Sequence, residues 1–508
     1  MTSPIIETTK GKVKGINING VDKFLGIPFA KPPIGERRFF PPVETDPWEG
    51  VLDASSFKAS PMQLPGSSEG AMYPPEKRTA LSEDCLYLNV YVPENASGKK
   101  LPVMVWLYGG HYMNGSSTSA GCEGSNFAKN QEVIVVTFNY RVGIFGFMAH
   151  PKLKKTDQKA TNAGLEDMLA TLKWIKENIS SFGGNPSNVT LFGVSAGSSA
   201  INVLLTCPAA EGLFHAAITQ SGSPFNHDEW DIDEAQEQTR CLNYLAKIGV
   251  SEDELFSVSS EKLLSDPEAY EASEFCPYVD GRLVPARLEE SFLAGRIHDI
   301  PIILGCTADE AFILLGEREK VTKERFEKTV AIKYPDHKVA IYNKYGAYLD
   351  QSPAYALGRF RSDNTIANMR YFASCLVEYR TSPTYFYIFQ KVTPGKEPYY
   401  YGAYHASENA YHFQNLNSEF INYGESDVRV SNTMAKYWAN FAACHDPNSK
   451  ALPEWKKFTP QTNQVMYIDD PCDCVPLKTK ALTEELQKIL EERTEKSVRS
   501  AESRIYRN

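Results

Sequence analysis

Five residues constrain this chain more than any others: Gly193-Val194-Ser195-Ala196-Gly197, directly after the apolar run 189–192. The run reads as a buried strand, and residues 198–205 read as a helix. A serine between two glycines at such a junction rides the tip of a sharp turn. The glycines leave room where a Cβ would clash. A serine hydroxyl is a weak nucleophile at neutral pH, so a chain that uses one holds it beside a base. The pattern therefore predicts a local fold and a chemistry together. The competing account is a chance match in a Ser/Gly-rich loop, and the flanking strand and helix argue against it.

Short runs rich in β-branched and aromatic residues at 103–107, 133–137, 189–192, 302–304 and 385–389 read as buried strands. Between the second and third, Leu165, Leu169, Leu172 and Ile175 fall on one face of a helix over 165–178. Strand–helix–strand alternation predicts an α/β fold with a mostly parallel central sheet and helices on both faces. Residues 12–16 and 24–28 read as a small N-terminal antiparallel sheet, and the more polar stretches 227–300 and 315–380 as helical cap insertions. Leu482, Leu486, Ile489 and Leu490 form an apolar stripe among charges, which predicts a C-terminal helix over about 482–497 docked on the body. With no internal repeat and no low-complexity linker, residues 1–508 are expected to form a single catalytic domain.

A nucleophilic serine needs a base, an acid to orient the base, and donors for the developing oxyanion. In the chain order serine, acid, histidine, the base belongs on a loop after a late strand. His405 and His412 both qualify. The acid belongs after an earlier strand, and Asp309 and Glu310 both follow the run at 302–304; spacing alone does not choose between them. The glycine pair in Trp106-Leu107-Tyr108-Gly109-Gly110-His111-Tyr112 follows the first central strand. Its backbone N–H groups can join that of Ala196 in an oxyanion hole. A phosphate-binding loop is the rival use of such a pair, but the spacing fits neither nucleotide-binding motif.

Bulk properties narrow the function further. A net charge of −10, with no run of Lys and Arg, argues against nucleic acid or an anionic membrane as partner. No stretch approaches the roughly 20 apolar residues of a membrane span. Residues 1–10 lack the basic and apolar regions of a secretory signal. The ten cysteines show no paired zinc-ligand spacing, and Cys472-Asp473-Cys474 alone is a weak metal motif. Sequons at Asn114 and Asn188 fall in segments assigned to the core or the site. A cytoplasmic protein with reduced thiols, no metal and no organic cofactor is the expectation. Nothing in the pattern specifies an oligomeric state.

Together these motifs resemble the type-B carboxylesterases, an α/β-hydrolase family that also contains the cholinesterases and the non-catalytic neuroligins. Further wording carries the likeness from Phe24-Leu25-Gly26-Ile27-Pro28 to about Asp446. It includes Glu83-Asp84-Cys85-Leu86-Tyr87-Leu88-Asn89-Val90, Asn139-Tyr140-Arg141-Val142-Gly143, Phe182-Gly183-Gly184-Asn185-Pro186 and Gln220-Ser221-Gly222. The resemblance implies the α/β-hydrolase fold and a serine carboxylic-ester hydrolase acting through an acyl-enzyme on small to medium acyl esters. It implies Ser195 as nucleophile, Glu310 rather than Asp309 as the acid, and His405, in Gly402-Ala403-Tyr404-His405-Ala406-Ser407-Glu408, rather than His412 as the base. Gly110, His111 and Ala196 match the backbone oxyanion donors. A lipase or amidase of the same fold is the alternative, and a dead neuroligin-like binding protein the more distant one.

Several positions depart from the family pattern. Val194 replaces a glutamate, and Ala311 replaces a glycine. The cysteine that pairs with the equivalent of Cys85 is missing around Ser60-Pro61-Met62-Gln63, so that disulfide is expected to be absent. No tryptophan lies between Trp48 and Cys85, so choline esters are not the expected substrate. His111 stands where the family keeps a small residue. Its imidazole either narrows the acyl pocket, points away, or acts on the acyl-enzyme.

Overall fold

Stiff, branched side chains dominate the central runs and suit a sheet covered on both sides. The computed structural model describes residues 3–64, 79–94, 96–155, 162–225, 232–395, 397–417, 421–478, 486 and 488–492, and joins eleven strands into one sheet. In chain order they are β1 (Ile16–Ile18), β2 (Val21–Pro28), β3 (Tyr87–Pro93), β4 (Leu101–Leu107), β5 (Ile134–Phe138), β6 (Gly184–Val194), β7 (Ala216–Gln220), β8 (Ile302–Thr307), β9 (Thr384–Phe389), β10 (Gln464–Ile468) and β11 (Asp473–Pro476). Across the sheet the order is β11-β10-β9-β8-β7-β6-β4-β5-β3-β2-β1. Every pairing from β5–β4 through β9–β10 is parallel. Antiparallel strands close both edges.

This order contains a reversal. The chain steps from β4 to β5 in one direction, then returns to lay β6 on the other side of β4. In open α/β sheets the crevice at such a reversal, beyond the carboxyl ends of the strands, is where ligands bind. The Gly109-Gly110 loop follows β4 and Ser195 follows β6, so both candidate elements emerge at that point.

The N-terminal segments differ from expectation. Gly11–Lys14 pairs antiparallel with Ile5–Thr8 and parallel with Val51–Asp53 in a separate three-stranded sheet. Residues 24–28 lie instead in β2, paired with β3 along the antiparallel edge of the large sheet. Val21, Phe24 and Ile27 are buried there, so β2 is part of the main core.

The stretch 227–300 carries the helices Glu234–Ile248, Ser260–Leu263, Pro267–Ser273 and Leu288–Leu293. The stretch 315–380 carries Lys323–Lys333, Lys338–Gln351 and the long helix Pro353–Tyr379. The last begins with proline at its first position, and the Ser352 side chain accepts from the Tyr355 N–H. Phe326, Val330, Tyr345 and Phe360 of these helices form a second apolar cluster, separate from the main core. Leu486, Ile489 and Leu490 are buried in this second cluster, so the C-terminal stripe docks on the insertion; Leu482 lies outside the described residues. No described helix is long and apolar enough to cross a membrane.

A buried ion pair fastens the loop after β5 to the helix Ala163–Asn178. Arg141 Nε and Nη2 donate to Asp167 at 2.8 and 2.7 Å, and the Arg141 backbone N–H donates at 3.0 Å. Both side chains are at most 3% exposed, so neither charge has water to fall back on. Asp167→Ala strands the guanidinium in the core and is expected to cost about 3–5 kcal/mol, read as a lower midpoint in chemical denaturation.

Candidate active site

Ser195 occupies the junction between β6 and the helix Ala196–Thr206, with φ 57° and ψ −124°. A non-glycine residue in such a conformation is strained and persists only where its surroundings hold it. Here the Ser195 N–H donates to the Gln220 carbonyl at 2.8 Å, and the Ser195 carbonyl accepts from the Ser199 N–H at 2.9 Å. The flanking glycines are required by space. A Cβ on Gly197 would lie 2.0 Å from the Leu107 carbonyl oxygen, and one on Gly193 would lie 2.6 Å from the same atom. Val194 is buried in the main core behind the turn, where a carboxylate would need a partner.

The loop after β4 lies directly against Ser195. A Cβ on Gly109 would stand 2.9 Å from the Val194 carbonyl oxygen and 3.0 Å from Ser195 Cβ. Gly110, His111 and Tyr112 follow with φ of 113°, 54° and 59°. The turn is closed by Met113 and Asn114, whose N–H groups donate to the Gly110 carbonyl at 2.9 and 3.1 Å. Ala196 opens the elbow helix, and the first N–H groups of a helix lack intrahelical partners. His111 is exposed and lines a cavity of about 120 Å³ together with Ser195, Glu310 and His405.

Glu310 follows the end of β8 and is buried. It accepts from the Thr307 N–H at 2.8 Å and from the Ser221 hydroxyl, and its other oxygen pairs with His405 Nδ1. Burial alone would push its carboxyl up. The His405 imidazole, with the hydrogen bonds from His405, Ser221 and Thr307, outweighs burial and holds it below the usual carboxylate range. Burial alone would likewise lower the proton affinity of His405, but Glu310 outweighs it and raises the imidazole above its ordinary value.

The rival residues have other partners. Asp309 pairs with Arg359 Nη1 at 2.9 Å and accepts from the Ala403 N–H at 3.0 Å, so it clasps the histidine loop to the helix Pro353–Tyr379. His412 is buried against Trp106, Phe192, Phe413 and Trp438. Burial pushes its imidazole down to about 3, which keeps it neutral.

Two residues of this centre carry no assignment in the sequence reading. Ser221, at the carboxyl end of β7, supplies the hydroxyl on Glu310. Glu408 is fully buried, accepts from Gln220 Nε2 at 3.4 Å, and is pushed up to about 7 by burial and then by the charge of Glu310. Both stand in motifs quoted above, Gln220-Ser221-Gly222 and the histidine loop, which is the signal that points to them. Among the described residues no group of three or more His, Cys, Asp or Glu could hold a metal ion.

The model of the carboxylesterase family matches residues 2–487 of this sequence. The chain belongs to the carboxylesterase family. It is 33% identical to the para-nitrobenzyl esterase of Bacillus subtilis (strain 168), over 92% of this chain and 95% of that protein. It is 34% identical to carboxylesterase 3 of Homo sapiens, over 92% and 88%. It is 32% identical to the fumonisin B1 esterase of Sphingopyxis macrogoltabida, over 89% and 84%. A solved PNB esterase structure superposes with a TM-score of 0.83 at 32% identity, covering 96% of this chain and 99% of that one. The sheet and its helices are therefore the α/β-hydrolase fold, and this carboxylesterase is a carboxylic-ester hydrolase acting on small-molecule esters.

The elbow's packing makes its glycines testable. Gly197→Ala places a Cβ against the Leu107 carbonyl, which is backbone and cannot swing aside. A loss of roughly 3 kcal/mol, at the upper end for overpacking, is expected in thermal denaturation, together with lost ester turnover. An unchanged midpoint would contradict the contact.

Proposed function

We propose that Ser195, Glu310 and His405 carry out the ester hydrolysis through an acyl-enzyme. The observation behind this reading is the pairing of His405 Nδ1 with buried Glu310 in the cavity that Ser195 also lines. With Nδ1 committed to Glu310, Nε2 is the nitrogen left to accept a proton. In the first half-reaction Ser195 Oγ attacks the ester carbonyl carbon while His405 Nε2 takes its proton. The C=O electrons collect on oxygen, and the N–H groups of Gly110, His111 and Ala196 receive that charge. Losing one such donor typically raises the barrier by about 3 kcal/mol. The tetrahedral intermediate collapses, the C–O bond breaks, and His405 returns the proton to the departing alcohol. Water then attacks the acyl carbon with His405 again as base, releasing the acid and Ser195. The cycle calls for no metal and no organic cofactor.

The Glu310 contacts support its role as orienter. It holds one tautomer of His405 and stabilises the cation that forms. Ser221 and Thr307 fix the carboxylate in turn, and Asp309 holds the Ala403 backbone two residues before the base. The cavity volume supports small to medium acyl esters, since it is several times the space one ordered water needs. We also propose a cytoplasmic location, supported by the exposed thiol of Cys444, which an oxidising compartment would leave open to pairing.

Ser195→Ala is expected to lower kcat on a p-nitrophenyl ester by about 10⁴-fold or more. A serine-directed organophosphonate should label the wild-type protein at Ser195 alone, read by peptide mass. Full activity in Ser195→Ala refutes the assignment.

The pH profile follows from the His405 shift. Only neutral imidazole takes a proton, so kcat/KM is lost as pH falls through the His405 value. Because Glu310 favours the cation, that limb should lie above the ordinary imidazole value of about 6.5. Glu310→Gln removes the negative charge, so the limb should move to lower pH while the plateau falls. A limb that stays in place would separate Glu310 from the base.

A further inference from the structure

The long helix Pro353–Tyr379 forms one wall of the catalytic cavity, and Asn364 and Asn368 line it one turn apart on a single helical face. Ser199, four residues after Ser195 in the helix Ala196–Thr206, lines the same cavity, as do Ser223 and Thr365. Its apolar side chains are Ala311, Leu314 and Phe360. A pocket shaped for a plain hydrocarbon chain is lined mainly by apolar side chains. Here neutral hydroxyls and amides outnumber them. Arg361 and Lys333 also line the cavity and have interactions of their own within the protein.

Some of the neutral groups are committed. The Ser221 hydroxyl donates to Glu310. The Ser223 hydroxyl donates to the Asn368 carbonyl at 3.2 Å and accepts from the Phe225 N–H at 3.2 Å. The Thr365 hydroxyl donates to the Arg361 carbonyl at 3.2 Å. Three groups are left. The Tyr334 hydroxyl donates to Asn364 Oδ1, which leaves Nδ2 as the donor end of that amide. Asn368 Nδ2 donates to the Asn364 carbonyl at 3.0 Å, while its Oδ1 is buried with no partner among the described residues. Ser199 is 3% exposed, and its hydroxyl makes no hydrogen bond among the described residues. A donor, an acceptor and a hydroxyl are thus uncommitted in the cavity that holds Ser195. A substrate hydroxyl gives one hydrogen bond and takes up to two, so it answers all three. A hydrocarbon chain that excludes water from them leaves each unpaired, and a site built around such groups rejects the analogue that lacks the partner.

We propose that this esterase prefers esters carrying a free hydroxyl, which Ser199, Asn364 and Asn368 hold while Ser195 attacks the ester carbonyl. This rests on the ester-hydrolase reading and names the substrate class for that site. The hydroxyl belongs either to the acyl half or to the alcohol half of the ester, and the two are separated by experiment.

The test compares kcat/KM within isosteric pairs by acid release in a pH-stat at pH 8. Each ratio is divided by that for hydroxide-catalysed hydrolysis, which removes the intrinsic effect of the hydroxyl. Ethyl 3-hydroxybutyrate against ethyl 3-methylbutyrate places the group in the acyl half. Ethylene glycol monoacetate against propyl acetate places it in the alcohol half. In at least one pair the hydroxylated ester is expected to be favoured by about tenfold, the size of one or two neutral hydrogen bonds kept rather than lost. The ratio should fall in S199A and collapse toward one in S199A/N368L; should the double variant fail to fold, the S199A ratio alone decides. If the hydrocarbon partner is hydrolysed as well or better in both pairs, or if S199A keeps the full ratio, the proposal is overturned while the esterase reading stands. A wild-type protein that hydrolyses none of the four esters but still cleaves a p-nitrophenyl ester also overturns the proposal alone. Failure on all five overturns both.

Discussion

The end of β4 and the turn after β6 approach each other at glycines. The Leu107 carbonyl faces Gly193 and Gly197, and the next loop brings Gly109 against Ser195. A side chain on Gly109, Gly193 or Gly197 would collide there, so the loop after β4 runs against Ser195 at little more than van der Waals contact. The sheet order makes this possible. Because the chain reverses across β4, the two loops leave the same edge of the sheet from neighbouring strands. The strain at Ser195 is the cost of that geometry, and the parallel ladder between β4 and β6 with the hydrogen bond to Gln220 holds it.

Around this fixed point, carboxylates of similar chemistry are given different tasks by their neighbours. Glu310 receives donors and a cationic partner and stays ionised. Glu408, buried with a weak donor and facing the charge of Glu310, is driven toward neutrality. Asp309, one residue from Glu310, turns outward to Arg359 and the Ala403 backbone. Arg359 also donates to the Ala308 carbonyl at 2.7 Å and to Asp363 at 2.9 Å. The loops after β8 and β9 are thus locked together beside His405.

Much of this is legible in the sequence. Buried parallel strands are continuous apolar runs, and five of them stand out from their surroundings. The elbow is legible because only glycine satisfies its packing. The choice between Glu310 and Asp309, or His405 and His412, lies beyond spacing. Adjacent residues on a loop leave it in opposite directions, and His412 is distinguished by an aromatic cage drawn from distant segments. There the family resemblance made the selection that periodicity could not. The edge strands were less visible for a physical reason. β11 pairs on one side only and is four residues long with both ends exposed, and the pattern of β2 does not tell which strand it pairs with, because pairing partners are not encoded locally. Which residues of Pro353–Tyr379 line the cavity is not encoded in the helix's own pattern.

Two apolar clusters meet at the cavity. Val194 and Ala196 on either side of Ser195, and Tyr108 and Tyr112 on either side of the glycine pair, belong to the large core. Phe360 lines the cavity from the smaller cluster, which Val330 also joins just before Lys333, and the C-terminal residues Leu486, Ile489 and Leu490 close that cluster from behind. The helix Pro353–Tyr379 spans both: Phe360 packs in the smaller cluster, Met369 and Phe372 pack in the large core, and Arg359 ties the helix to the loops after β8 and β9. A substitution in the smaller cluster, even one far from Ser195, therefore reaches the cavity wall and the loop that carries His405 together.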